Sequence, residues 1–175
     1  MASNWSVENA LDEPPGRLRI EPYLDNIRSA YNVGSIFRTA DGVGVETLHL
    51  GGISPTPEHP KVVKTALGAQ RSVRWEYHPN GVEAVKLLKG DGYRIWSVEN
   101  TPTAERLFSI DLTRIGEPLL LVLGNEKAGI DPGILDLSDK IISVPMLGRK
   151  NSLNVVVAFG VVSYYLRFGH QKAVD

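Results

Sequence analysis

The chain has 175 residues, with 19 lysines and arginines against 20 aspartates and glutamates, and it contains no cysteine. That length fits one domain with a sizeable apolar core, and the missing cysteines exclude disulfides, thiolate chemistry and cysteine-ligated zinc, in keeping with a cytoplasmic compartment. A formal net charge of −1 gives no overall electrostatic footprint for nucleic acid.

Charge distribution adds local detail. Lys61, Lys64, Arg71 and Arg74 share a window free of acids, and Arg149, Lys150, Arg167 and Lys172 lie toward the C-terminus. An ordinary solvated surface accounts equally well for cations scattered in this way. Residues 1–16 read as a polar tail, because no basic start leads into the apolar run that a secretory signal needs. The longest apolar stretch, VVVAFGVV at 155–162, falls short of the roughly 20 residues required to span a bilayer.

In chain order, the strand-like LRIEPYL (18–24) precedes NVGSIFRTADGVG (32–44). There Val33, Ile36, Phe37, Ala40 and Val43 recur at helical spacing, so one face is built for burial. Asn32, Ser35 and Arg38 form a polar ridge on another face. Asn32 also suits an N-cap, and a lone arginine on an amphipathic helix is ordinarily a solvated residue. ETLHL (46–50), a short basic helix over 60–67 and RSVRWEY (71–77) come next. A helix over 82–88, YRIWSV (93–98), PLLLVLG (118–124), a helical turn after Asp131, KIISVP (140–145) and a final helix from about Ser152 to Phe168 complete the pattern. The alternation predicts an α/β domain with a largely parallel sheet flanked by helices.

LLLVL is continuously apolar, as expected of a central strand covered on both faces. Ligands in such sheets sit beyond the carboxyl ends of the strands, which directs attention to the loops after Leu123 and Val144. In LGNEKAGID (123–131), Gly124 and Gly129 are spaced as in a phosphate-binding P-loop, but Ile130 and Asp131 stand where that motif needs Lys and Ser or Thr. No dinucleotide-binding G-x-G-x-x-G follows a strand either. Gly124 lets the backbone approach a ligand, and Asn125 and Glu126 offer an amide and a carboxylate. An ordinary strand-to-helix turn explains the same residues.

In VPMLGRKNSLN (144–154), Pro145 and Gly148 end the strand and Asn151 or Ser152 suits the cap of the final helix, which leaves Asn154 without a structural task. That helix is apolar nearly all round, so it is buried on more than one side, by a partner subunit or by the chain's own core. The histidines at 49, 59, 78 and 170 show no metal-ligand spacing and read as surface or loop residues.

NVGSIFRTADGVGV, KTALGAQ, LLLVLGNEKAGI and IISVPMLGRKNSLNVVVAFGVV, in this order within residues 18–168, resemble the SpoU (TrmH-like) family of RNA ribose 2′-O-methyltransferases of the SPOUT superfamily. The resemblance implies a methyltransferase domain over 17–170, between an N-terminal tail and a short C-terminal tail at 171–175. It also implies a C-terminal deep trefoil knot and a homodimer formed through the C-terminal helix. S-adenosyl-L-methionine would be held by Leu123, Gly124, Asn125, Val144, Met146, Gly148, Ser152 and Leu153. Arg38 matches the family's catalytic arginine, with Asn32, Glu126, Ser152 and Asn154 at the polar positions around it.

Without the additional RNA-binding domain that some members carry, RNA contact would fall to Arg17, Arg19, Arg38, Lys61, Lys64, Arg71, Arg149 and Lys150, with tRNA favoured over rRNA. Neither a metal nor a membrane enters this reading. Two departures from the family pattern bear on helix packing: Val156 and Ala158-Phe159 stand where Ser followed by Ala-Ala is frequent, and Lys127-Ala128 fills a variable part of the second motif. A non-catalytic RNA-binding protein with this fold and a base-directed RNA methyltransferase are the alternatives.

Overall fold

The computed structural model describes residues 18–115 and 118–169. Arg17, His170, Lys172 and the tails at 1–16 and 171–175 lie outside the described residues. Among the described residues, seven strands form one sheet: β1 (Ile20–Asp25), β2 (Thr47–Gly51), β3 (Arg74–His78), β4 (Arg94–Val98), β5 (Glu105–Arg106), β6 (Leu119–Leu123) and β7 (Lys140–Ser143). Their spatial order is β3-β2-β1-β6-β4-β7-β5, and every pairing is parallel. Five α-helices among the described residues alternate with them: α1 (Ala30–Val43), α2 (Pro60–Ala66), α3 (Gly81–Gly90), α4 (Pro132–Leu137) and α5 (Val155–Phe168). No helix among the described residues is long and apolar enough to cross a membrane.

The expected parallel α/β sheet is therefore present, with LLLVL as a central, fully buried strand. Its side chains alternate between two cores. Leu119, Leu121 and Leu123 join the larger one with Val33, Ile36 and Phe37 of α1 and Phe159, Val162 and Leu166 of α5. Leu120 and Val122 face a smaller core with Val85 of α3 and Ile134 of α4. Chain order reverses direction across the sheet where β1 meets β6, and the loops after these neighbouring strands open on the same end.

Two helix starts differ from the sequence reading. Ser29, not Asn32, caps α1, its hydroxyl accepting from the Asn32 N–H at 3.2 Å, so Asn32 sits inside the first turn with its side chain free for other work. Asn154, rather than Asn151 or Ser152, caps α5 by accepting from the Val156 N–H at 2.9 Å, and the helix begins only at Val155. Pattern alone could not decide among several cap-competent residues in a row. β5 and two short 3₁₀ turns over 107–109 and 112–114 were also unforeseen, being too short to carry a periodic signal.

His49 and His78 are strand residues rather than surface or loop residues. His49 is buried in β2, 2.9 Å from the Glu21 carboxylate, which also accepts from Arg19 and from the Tyr93 hydroxyl. Burial alone would raise the Glu21 pKa, but the hydrogen bonds from His49, Arg19 and Tyr93 outweigh it and hold the carboxyl down at about 2. A carboxyl with a lowered folded-state pKa contributes stability above its unfolded value and loses it as pH falls through the folded one. The stability advantage of the wild type over Glu21→Gln in urea unfolding is therefore expected to shrink on going from about pH 6 to about pH 3; a constant difference would show that the network does not titrate with Glu21.

Candidate functional site

Three loops at the carboxyl ends of β4, β6 and β7, together with the entry to α5, enclose a cleft of about 470 Å³ lined by Glu99, Leu123, Glu126, Val144, Leu153 and Ala158, among others. Of the residues anticipated for the cofactor, Leu123, Gly124, Asn125, Val144, Ser152 and Leu153 line this cleft. Met146 and Gly148 line an adjoining cleft of about 410 Å³, which shares Val144 with the first and also includes Arg149 and Lys150.

The loop after β6 is built by its own amide. Asn125 Oδ1 accepts from the N–H groups of Lys127 and Ala128 at 2.9 and 3.0 Å, and its Nδ2 donates to the Asn26 carbonyl at 2.7 Å. Backbone bonds between Asn125 and Gly129, both 3.0 Å, close the turn. Gly124, which lines the cleft, is also required by the turn itself. A Cβ there would lie 2.5 Å from the Gly129 carbonyl carbon and the Ile130 nitrogen, so the glycine lets two backbone segments touch.

Glu126 projects from this loop to the start of α1. Its carboxylate accepts from the Asn32 side-chain amide at 2.8 Å and from the backbone N–H groups of Arg28 and Ser29 at 3.2 and 3.3 Å. Burial would raise its pKa, but hydrogen bonds from its own N–H, from Asn32 and from Arg28 and Ser29 outweigh that and leave it below the ordinary carboxylate value. Glu126 is therefore ionised at neutral pH and sits at a helix N-terminus, where the helix dipole favours negative charge. The Asn154 side chain in turn donates to Asn32 Oδ1 at 3.5 Å. Asn32, Glu126 and Asn154, separated by more than 90 residues of sequence between the first two, thus form one polar line from α1 to α5.

Arg38 stands apart from that line. It lies six residues beyond Asn32 on α1, about 9 Å further along the helix axis. Its side chain is exposed and has no hydrogen-bond or ion-pair partner among the described residues. The other anticipated cations are distributed. Lys61 at the start of α2 stacks over the Tyr31 ring at 5.6 Å, next to the first turn of α1. Lys64, Arg71, Arg149 and Lys150 are exposed. Arg19 is already engaged, 2.6 Å from Glu21 and over the Tyr93 ring. Arg167, near the end of α5, donates to the carbonyls of Leu18 and Gly44 and ties the helix to the body of the domain.

Sequence reasoning missed Glu99 and Asn100. Glu99 accepts from the Ile130 N–H at 3.2 Å, and Asn100 lines both clefts and donates to the Asn151 carbonyl at 2.8 Å. The signal was available: the same rule that marks the ends of β6 and β7 applies to the end of β4.

The model of the SpoU rRNA Methylase family matches residues 20–164. A tRNA (guanosine(18)-2′-O)-methyltransferase of Thermus thermophilus is 33% identical over 150 residues, covering 86% of this chain and 75% of its own length. A solved structure described as a putative RNA methyltransferase of the TrmH family from Porphyromonas gingivalis superposes with a TM-score of 0.78 at 30% identity, over 90% of this chain and 62% of that one. The SpoU methyltransferase AviRb of Streptomyces viridochromogenes, solved with AdoMet bound, gives a TM-score of 0.78 at 26% identity, with coverage of 90% and 62%. The chain thus spans about three-fifths of both solved chains.

Proposed function

Because the chain belongs to the SpoU rRNA methylase family, whose members act as S-adenosylmethionine-dependent RNA ribose 2′-O-methyltransferases, we propose that the cleft beyond β4, β6 and β7 binds the cofactor. In this reading Arg38, with Asn32, Glu126, Ser152 and Asn154, orients the target ribose. The observation that carries it is the polar line Glu126–Asn32–Asn154, whose two ends, Glu126 and Asn154, line that cleft.

The residues present suit the cofactor. A volume of about 470 Å³ lies in the range of small-molecule sites. Leu123, Val144, Leu153 and Ala158 supply apolar walls for an adenine ring, while the turn at 124–126 and the segment 152–154 bring backbone polar groups to its rim. When bound, S-adenosylmethionine supplies an electrophilic methyl group on a sulfonium. The chain's own task is alignment and charge. The exposed Arg38 fork fits two oxygens of a substrate phosphate, and in that grip it would orient the ribose 2′-hydroxyl for transfer. A guanidinium, with a pKa above about 12, does not give up its own proton readily, so the phosphate takes part in accepting the ribose proton. Ser152 and Asn154 shape the site around it.

The same reading extends to partners and place. The exposed cations Lys61, Lys64, Arg71, Arg149 and Lys150, with Arg17, contact the RNA backbone, while Arg19 stays on Glu21, and tRNA is the substrate class, as the name of the Thermus relative supports. The domain over 17–170 carries the family's C-terminal trefoil knot and works in the cytoplasm. It pairs as a homodimer through α5, where Val157, Tyr164 and Phe168 leave an apolar face outside the core. Labelled S-adenosylmethionine incubated with unmodified tRNA and, separately, rRNA is expected to give one cofactor bound per chain and label chiefly in tRNA. Preferential labelling of rRNA would overturn the substrate assignment, and absence of cofactor binding would overturn the site.

A further inference from the structure

On the sheet face away from α1 and α5, β2 and β3 bring together three side chains that methyl transfer does not use. The parallel register sets His49 directly beside Glu76 and places His78 two residues on, on the same face. His49 Nδ1 lies 3.0 Å from His78 Nε2, and Glu76 Oε2 lies 3.6 Å from the first nitrogen and 3.8 Å from the second. All three ligand-capable atoms fall within 4.8 Å of one another.

The orientation of His49 is fixed from behind. Its Nε2 is 2.9 Å from Glu21 Oε2, while the same carboxylate receives the Arg19 guanidinium at 2.6 and 2.9 Å and the Tyr93 hydroxyl at 2.8 Å. A carboxylate ringed by donors accepts only, so His49 Nε2 carries the proton and Nδ1 presents its lone pair toward His78 and Glu76. Carboxylate–histidine pairs of this kind set the tautomer and raise the basicity of metal-bound imidazoles.

We propose that His49, Glu76 and His78 form a binding site for a divalent transition cation, zinc in the first place, with Glu21 positioning His49 as a ligand. Ligands at zinc distances of about 2.0–2.1 Å in a tetrahedron are about 3.3 Å apart, a value bracketed by the separations above. Two imidazoles and one carboxylate favour zinc, copper or nickel over magnesium or calcium, which take oxygen ligands. Entry is open from one side. The His49 side chain is 3% exposed, but those of His78 and Glu76 are 22% and 60% exposed, and β3 is the edge strand of the described sheet. A water from that side completes the coordination.

Binding requires one proton to relocate. The hydrogen shared between the two rings leaves His78 Nε2 and the ring carries its proton on Nδ1 instead, so two neutral imidazoles and one carboxylate face the cation. The bound ion pins β3 to β2, two strands away from β6 and its cleft.

The test uses the full chain without any added histidine tag, stripped with a chelator and titrated with zinc chloride by calorimetry, with cobalt(II) absorption as a second readout. One zinc per chain is expected, together with a tetrahedral cobalt spectrum; His78→Ala removes both and Glu21→Gln weakens zinc binding roughly 10–100-fold. Because Glu21 is buried and its variant can fail to fold, Glu76→Gln on the exposed side serves as a further variant, with weakened binding expected. No zinc bound by the wild type, or equal binding by the wild type, His78→Ala and Glu76→Gln, overturns the proposal.

Discussion

Replacing Arg38 with lysine is expected to lower kcat for RNA methylation by about 10²–10³-fold while leaving S-adenosylmethionine affinity unchanged. The charge survives this substitution, so a purely electrostatic role would survive it too. What is lost is the planar fork that grips two oxygens at once. Arg38 has no partner among the described residues that would hold it in a structural role, and its exposure means that lysine can occupy the position without disturbing the core. Steady-state kinetics with saturating RNA, beside calorimetric titration of the cofactor, separate the two effects. Near-normal turnover by Arg38→Lys would remove the positioning role assigned to the arginine.

Gly124→Ala is expected to abolish measurable cofactor binding and to lower stability together. The added methyl carbon meets the Gly129 carbonyl carbon and the Ile130 nitrogen at 2.5 Å and Ile130 Cγ1 at 2.6 Å. Two of these neighbours are backbone and cannot swing aside like a side-chain tip. Relief requires opening the turn that Asn125 closes by bonding to Lys127, Ala128 and Gly129. Overpacking of this kind costs about 1–3 kcal/mol, and the turn forms one wall of the cleft. A lowered Tm with no heat of S-adenosylmethionine binding is the expected result. Wild-type affinity in this variant would show that the turn tolerates opening and does not shape the site.

Much of this site is legible from strand ends. The continuous apolar run LLLVL identifies the central strand, and the loops after it and after β7 do line the cleft. Helical spacing of Val33, Ile36 and Phe37 likewise identifies the buried face of α1. What pattern could not supply is which polar residue spends its side chain on the backbone. Ser29 and Asn154 act as caps, which frees Asn32 to bind Glu126, and the two residues meet only because β1 and β6 are neighbours in the sheet. The His49 cluster was hidden for the same reason: its ligand-capable atoms come from two strands brought into register, not from a spacing within one segment. Glu99 and Asn100 were missed because β4 lacks the uninterrupted apolar run that made β6 conspicuous.

Ribose methylation is tested most directly by locating the transferred methyl group. Unmodified tRNA is incubated with the chain and tritiated S-adenosylmethionine, digested with nuclease, and its labelled products are separated, with Arg38→Ala beside the wild type. Label is expected in a nuclease-resistant dinucleotide carrying a 2′-O-methyl ribose, and none from the variant. Label on a base, or label undiminished by Arg38→Ala, would contradict ribose methylation that depends on Arg38.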